Sequence, residues 1–257
     1  MIRRLFLLLI LPFISYSQNQ AVGTSEKLVY SASYNISGLL TEIAQVTMET
    51  SMVKTSSSTL LRLKCAAATY SSFDSYFKIR DLYESYVSPT SLKPYLYKRD
   101  INEGTYNKFE QYKFSYKTNT VESITRKRRP TGNTEVKNTV KFGPNTADIV
   151  ATIYQLRNIE FRYFKPGQTK SLSFLFDNKP MSITIKYLGK ESIGSKLGKK
   201  ECYKLAIALN NSNLLKGSAD NLLWLSADKS RIPVYARFKI PVGNGELKIK
   251  SATGLKS

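Results

Sequence analysis

From Lys27 onward, apolar and polar residues alternate with a period of two in segment after segment. Val136, Asn138, Val140 and Phe142 alternate with Lys137, Thr139 and Lys141, and Met181, Ile183, Ile185 and Tyr187 alternate with Ser182, Thr184 and Lys186. Val234 to Ile240 and Leu247 to Lys250 repeat the pattern. A period of two places alternate side chains on opposite faces of a strand, so these segments predict half-buried antiparallel strands with one face on a core and one in water. Turn-forming residues punctuate the strands at Ser88-Pro89, Glu103-Gly104, Pro130 to Asn133, Pro166-Gly167, Asp177 to Pro180 and Gly243 to Gly245. Such spacing predicts hairpins and a meander.

One segment departs from this rhythm. After Gly143-Pro144, Thr146 can cap a helix, Asp148 falls in its first turn, and Ile149, Ile153 and Leu156 recur at helical spacing. A helix over 146–160 is expected, with its apolar stripe covering the concave side of the sheet. The fold class is therefore mainly β: a curved antiparallel sheet or open barrel with one helix on the concave face.

The first residues do not belong to this pattern. Arg3 and Arg4 precede the apolar run Leu5 to Ile14, which is broken only by Pro12. The run is too short to span a bilayer, which takes about 20 apolar residues. Ser15-Tyr16-Ser17 then offers small residues for cleavage before Gln18. This order of blocks predicts a signal peptide over residues 1–17 and a single β-rich domain over 18–257, with its core at about 27–253. No cysteine follows the apolar run to accept a lipid. The expected location is the periplasm or the cell exterior, with outer-membrane association.

Of the 257 residues, 39 are Lys or Arg and 19 Asp or Glu, a formal charge of +20 that falls by two when Arg3 and Arg4 are removed. There is no histidine. Its absence removes the usual general base, every Ser–His or Cys–His pair and all His-containing zinc sites, and leaves carboxylate-only chemistry as the main enzymatic option. No catalytic residue, cofactor or metal ligand is therefore assigned from the sequence. Cys65 and Cys202 are the only cysteines. An oxidising compartment allows them to pair. Cys202 shares a strand face with Lys204 and Cys65 one with Leu61 and Leu63, which equally suits two independent thiols.

Lys113, Lys117, Lys137, Lys141, Lys186, Arg237, Lys239, Lys248 and Lys250 all fall opposite the apolar positions of their strands. Their shared parity predicts a positive outer face, suited to solubility or to anionic surfaces. The denser run Arg126-Lys127-Arg128-Arg129 reads as a hairpin tip able to hold phosphate. Export argues against nucleic acid, and no RNA-binding aromatic motif accompanies the run. In the strand expected over Tyr76 to Val87, Asp81 occupies an apolar position. A carboxylate facing a core needs a partner, and Arg157 on the expected helix is the candidate. An acid–base couple of Asp81 with Glu84 or Asp148 is the enzymatic alternative, though Glu84 has the opposite strand parity. Trp224, the only tryptophan, is read as core-filling.

The order of these features resembles a known family. Tyr30 and Tyr34 in an early strand, Gly38, Asp81 with Glu84-Ser85, the helical DIVATIYQLR of 148–157, the strand pair WLSADKSRIPV of 224–234 and Gly243 are similar to the domain-of-unknown-function 3108 family. The resemblance covers roughly 27–253. It implies an exported bacterial β-rich domain and brings no established reaction or site residue. The expected function is a non-enzymatic binding domain for an anionic lipid, lipopolysaccharide or acidic glycan, with peripheral membrane contact. The alternatives are a carboxylate-based glycan hydrolase and a structural subunit of an envelope complex.

Overall fold

The computed structural model describes residues 18–36, 38–129, 132–210, 221–240 and 243–256, so the signal-peptide segment 1–17 lies outside the described residues. The N-terminal strands are β1 (Lys27–Ile36), β2 (Leu39–Lys54), β3 (Thr59–Thr69), β4 (Arg80–Val87), β5 (Pro94–Glu103), β6 (Tyr106–Ser115), β7 (Thr120–Arg128) and β8 (Thr134–Lys141). A short strand β9 (Thr146–Asp148) leads into the helix α1 (Ile149–Leu156) and a single 3-10 turn at Phe161–Tyr163. The chain then forms β10 (Thr169–Phe176), β11 (Lys179–Ser195), β12 (Gly198–Asn210), β13 (Leu222–Ser226), β14 (Pro233–Ile240) and β15 (Gly243–Thr253).

All strands lie in one sheet of order β8-β7-β6-β5-β4-β3-β2-β1-β15-β14-β13-β12-β11-β10-β9. Nearly every strand pairs with its neighbour in sequence, as short turns favour. The exceptions are β8 and β9, which do not pair with each other, and the pairing of β1 with β15, which joins the two halves; β9 runs parallel to β10. The sheet does not close on itself, so β8 and β9 are its edges. The edge strand β8 is exposed along nearly all its length and carries Lys137 and Lys141, charges of the kind that discourage strand-to-strand aggregation. Register breaks at Val29/Tyr30, Ala32/Ser33, Tyr86/Val87, Tyr187/Gly189 and Trp224/Leu225 interrupt the ladders. Such bulges bend and twist a sheet.

Directly opposed residues of an antiparallel ladder share a face, so register fixes the inner surface. Leu28, Met48, Cys65 and Tyr83 stand side by side across β1 to β4, and Ser85, Tyr97, Tyr112 and Ser123 continue the row across β4 to β7. Helix α1 covers this face, placing Val150, Ala151 and Tyr154 in the same core as Leu61, Leu63, Val87 and Tyr97. Each Val or Leu so buried contributes about 1.5–3 kcal/mol of transfer free energy. A second cluster packs Leu156 and Phe161 on Ile185, Tyr187, Tyr203, Leu205 and Leu225. Trp224 is buried as expected, with its ring on Tyr235 at 4.9 Å and its indole N–H donating to Glu191 Oε2 at 3.0 Å.

Helix α1 is shorter than the expected 146–160. Thr146 belongs to β9, and the cap is Asp148, whose carboxylate accepts from the Ala151 N–H at 2.8 Å. The buried stripe is also rotated, since Ile153 is exposed while Val150, Ala151 and Tyr154 face the core. Tyr76 and Phe77, read as part of a strand, lie in the loop before β4. Gly243 to Gly245, read as a turn, belong to β15, where the Phe238 ring lies over Gly245 in the space a Cβ would fill.

Arg157 closes the concavity. Its guanidinium donates to Glu26 Oε1 at 2.6 Å and Oε2 at 2.8 Å, to the Ser230 carbonyl at 2.8 Å and to the Ala21 carbonyl at 3.0 Å, and neither member of the Arg157–Glu26 pair is exposed. Burial opposes the charge, yet the hydrogen bonds and charge of Glu26 hold the Arg157 pKa above its ordinary value. The expected partner Asp81 is not involved, because β4 directs it at the opposite end of the inner face, beside Asn102 and Glu103. Cys65 and Cys202 are free thiols, since five strands separate β3 from β12 in the sheet. Burial pushes both thiol pKa values up to about 11.

Removing one partner of a buried, hydrogen-bonded ion pair leaves a charge without compensation and costs about 3–5 kcal/mol. We expect Glu26→Ala to lower unfolding free energy in urea by that amount, and Glu26→Leu combined with Arg157→Met to recover much of it. Equal stability of Glu26→Ala and the parent would show that the pair does not hold the fold.

Candidate functional site: a basic edge and a polar inner face

The basic run begins inside β7 rather than at a free tip. Arg126, Lys127 and Arg128 pair with Phe109, Lys108 and Asn107 of β6, and only Arg129 lies beyond the strand. Strand alternation therefore divides the run between two faces, with Lys127 directly opposite Lys108, which lies on the inner face. Arg126 is committed to Glu135 of β8 at 2.6 Å and lies 5.6 Å from the centre of the Phe109 ring. Among the described residues Lys127, Arg128 and Arg129 form no ion pair, and Arg128 and Arg129 are exposed. All nine outward lysines and arginines anticipated from strand parity are exposed as well.

The inner face carries a second set of charges. Arg99 on β5 and Glu110 on β6 face each other at 2.9 Å, both almost fully buried. Asp177, in the turn between β10 and β11, reaches across to Arg99 and Lys108. The next residue, Asn178, donates its backbone N–H to the Tyr112 hydroxyl at 2.9 Å. The Phe176 ring lies 4.4 Å from the Arg99 guanidinium. Asp177 and Asn178 both have positive φ, 48° and 60°, as a tight two-residue hairpin requires. Burial works against the Asp177 charge, but Lys108 and Arg99 hold its pKa below the ordinary value. This hairpin tip clasps the N-terminal half of the sheet to the C-terminal half, where no ladder joins them.

Asp81 and Glu103 form a third group. Asp81 Oδ1 accepts from the Asn102 N–H at 2.9 Å, and its carboxyl is hydrogen-bonded to that of Glu103. Burial raises both pKa values, opposed at Asp81 by the Asn102 N–H and reinforced at Glu103 by the charge of Asp81. Glu84 instead pairs with Arg62 at 2.7 Å on the other face, and Asp148 is sealed under α1. Among the described residues, no group of three acids or thiols is placed to hold a metal ion.

The sequence reading found Asp81 by its place at an apolar position, and the same rule applied to β5 and β6 would have found Arg99, Lys108 and Glu110. Glu26 precedes the first strand and carries no periodic signal. Glu103 sits in a turn dipeptide, where polar residues are ordinary.

A long curved sheet, open at both edges and wrapped around the one α-helix of the described residues, defines this molecule as a β-barrel-like domain. The chain belongs to the family described as protein of unknown function (DUF3108), whose model matches residues 29–250. Among solved structures it is similar to a β-barrel-like DUF1849 protein of Brucella abortus, at 9% identity and a TM-score of 0.58, over 92% of this chain and 100% of that one. A protein of Bacteroides fragilis with a YmcC-like fold aligns over 91% of this chain and 99% of its own at 7% identity, with a TM-score of 0.37. No curated protein matches the sequence.

Asp148 gives a measurable titration. Fully buried, its pKa is pushed up to about 6 despite hydrogen bonds from Ser85 and from the N–H of Ala151. A carboxyl raised above its unfolded value favours the protonated native state, so its contribution to stability is fully present below pH 4 and is lost as pH rises through about 6. Asp148→Asn should keep the cap, raise stability at pH 7 by up to about 3 kcal/mol and flatten the pH dependence between 4 and 6. Urea titrations at both pH values measure this, and an unchanged pH profile would refute it.

Proposed function

We propose that this protein is an exported, non-enzymatic envelope protein that binds anionic surfaces, lipid or glycan, through its basic outer face and the Arg126 to Arg129 edge. The observation that carries this reading is the exposure of all nine outward cations together with Arg128 and Arg129, on a chain of formal charge +20. Solubility alone needs a net charge of only about 2–8 for a small domain. Near an anionic membrane each basic residue contributes about 1 kcal/mol, screened within roughly 8 Å at physiological salt. Export rests on the residue blocks of 1–17, and the periplasm is the compartment this reading assigns. No helix of the described residues is long and apolar enough to cross a membrane.

Two measurements test this. Protein recovered from its own envelope should begin at Gln18, and an uncut Met1 would remove the export argument. Replacing Arg126, Lys127, Arg128 and Arg129 together by Ser should weaken binding to lipopolysaccharide or anionic vesicles several-fold at low salt. Parent binding should itself fall steeply as salt rises. Undiminished binding by the quadruple variant would mean that this edge is not the contact.

A further inference from the structure

In a meander, every second turn falls on the same edge of the sheet. The β1–β2 turn, the loop between β3 and β4, the β5–β6 turn and the β7–β8 connection therefore open on one rim. This rim concentrates exposed apolar groups. Tyr76 is 85% exposed, Leu39 71% and Phe77 54%, and Leu40 and Tyr106 are exposed beside them.

These side chains are held out by built structure. The β3–β4 loop is pinned by Asp74, which binds Arg80 Nη2 at 2.6 Å and Nη1 at 3.0 Å and accepts from Thr69 Oγ1 at 2.6 Å. The Tyr76 and Phe77 N–H groups both donate to the Phe73 carbonyl at 3.0 Å. The Gly104 N–H donates to the Lys78 carbonyl at 2.8 Å, and the Phe77 ring lies against Gly104, which joins the loop to the β5–β6 turn.

Both signs of charge lie around these groups, with Asp81 and Glu103 beside the β5–β6 turn. Glu42 is bound by Lys250, Asp74 by Arg80 and Glu135 by Arg126. Lys127, Arg128 and Arg129 have no such counter-ion among the described residues.

We propose that this rim docks on an anionic phospholipid bilayer, with Tyr76, Phe77 and Tyr106 entering the head-group zone while Arg128 and Arg129 meet its phosphates. The inference rests on the anionic-surface reading above and adds the occupant and the orientation. Tyr and other aromatic side chains favour the membrane interface, where the ring is desolvated and the hydroxyl stays wet. The spacing favours a bilayer over a folded protein. Successive turns on the rim are separated by two strands, about 10 Å, so the apolar groups form a row of separate tips and not a continuous patch. Shallow insertion of separate tips beside cations is how peripheral proteins add apolar contact to electrostatic attraction.

The test uses the signal-free chain with vesicles of phosphatidylglycerol and phosphatidylcholine, vesicles of phosphatidylcholine alone, and soluble polyphosphate. We expect Tyr76→Ser with Phe77→Ser to weaken binding to the anionic vesicles roughly tenfold at 0.15 M salt, by loss of apolar burial, while leaving polyphosphate binding unchanged. Tyr76→Ser alone, at the most exposed position, should show part of the loss should the double variant unfold. Phe77→Trp should shift its emission to the blue on the anionic vesicles, whereas the buried Trp224 of the parent does not respond. Equal vesicle affinity for parent and both Ser variants, or no emission shift, overturns the rim. Parent binding to polyphosphate but not to vesicles also overturns the rim and spares the anionic-surface reading. Parent binding to neither overturns both.

Discussion

Everything inside this sheet is arranged around one buried cation. Arg157 sits at the end of the only helix among the described residues and is hydrogen-bonded to Glu26, Ala21 and Ser230. It thereby ties together the segment before β1, the end of α1 and the turn between β13 and β14. Its own carbonyl accepts from Arg231, whose guanidinium also binds Glu160 at 2.7 Å. An arginine can serve three segments because its donors form a rigid planar fork, and a carboxylate matches that fork at two points. The apolar core supplies most of the free energy. The guanidinium decides where the helix sits over the sheet, since any other placement would strand a charge in a medium where it cannot be solvated.

The strands were legible because half-buried antiparallel strands write their orientation into every second residue. Asp81 was legible as an exception for the same reason. The pairing of Asp81 was not, because parity tells which face a residue occupies and not how far along the sheet its partner lies. Arg157 was assigned to the nearest acid by type, whereas the fold brings it a glutamate 131 residues away from an unpatterned segment. The helix was recognised by its spacing, but its start was misplaced because Thr146 and Asp148 are both good caps and only tertiary packing chooses between them. With Thr146 to Asp148 paired to β10, the helix cannot begin before Ile149. The basic run was legible as charge, while its division between two faces follows from β7 extending to Arg128, two residues short of Pro130.

Two of the polar systems of the molecule answer different needs. On the inner face, Arg99, Lys108, Glu110 and Asp177 are matched in sign and bound to one another, so they join the two halves of an open sheet without leaving a net charge. On the outer face the nine outward cations, and at the end of β7 Arg128 and Arg129, face water. Cross-linking calls for the first arrangement and attraction to a distant surface for the second, because only uncompensated charge projects a field.

The pairing of β1 with β15 has a consequence for how the chain could be wired. Lys27 stands opposite Thr253, and Lys256 reaches the Asn19 carbonyl at 2.7 Å, so the two ends of the fold are neighbours. All other ladders join strands adjacent in sequence, which makes β1–β15 the one ladder with a large loop-closure entropy. A circular permutant that links residue 256 to residue 19 and opens the chain between β8 and β9 would keep every ladder and convert the most distant contact into a local hairpin. By the dependence of folding rate on contact order, such a rewired chain would reach the same sheet faster than the natural one.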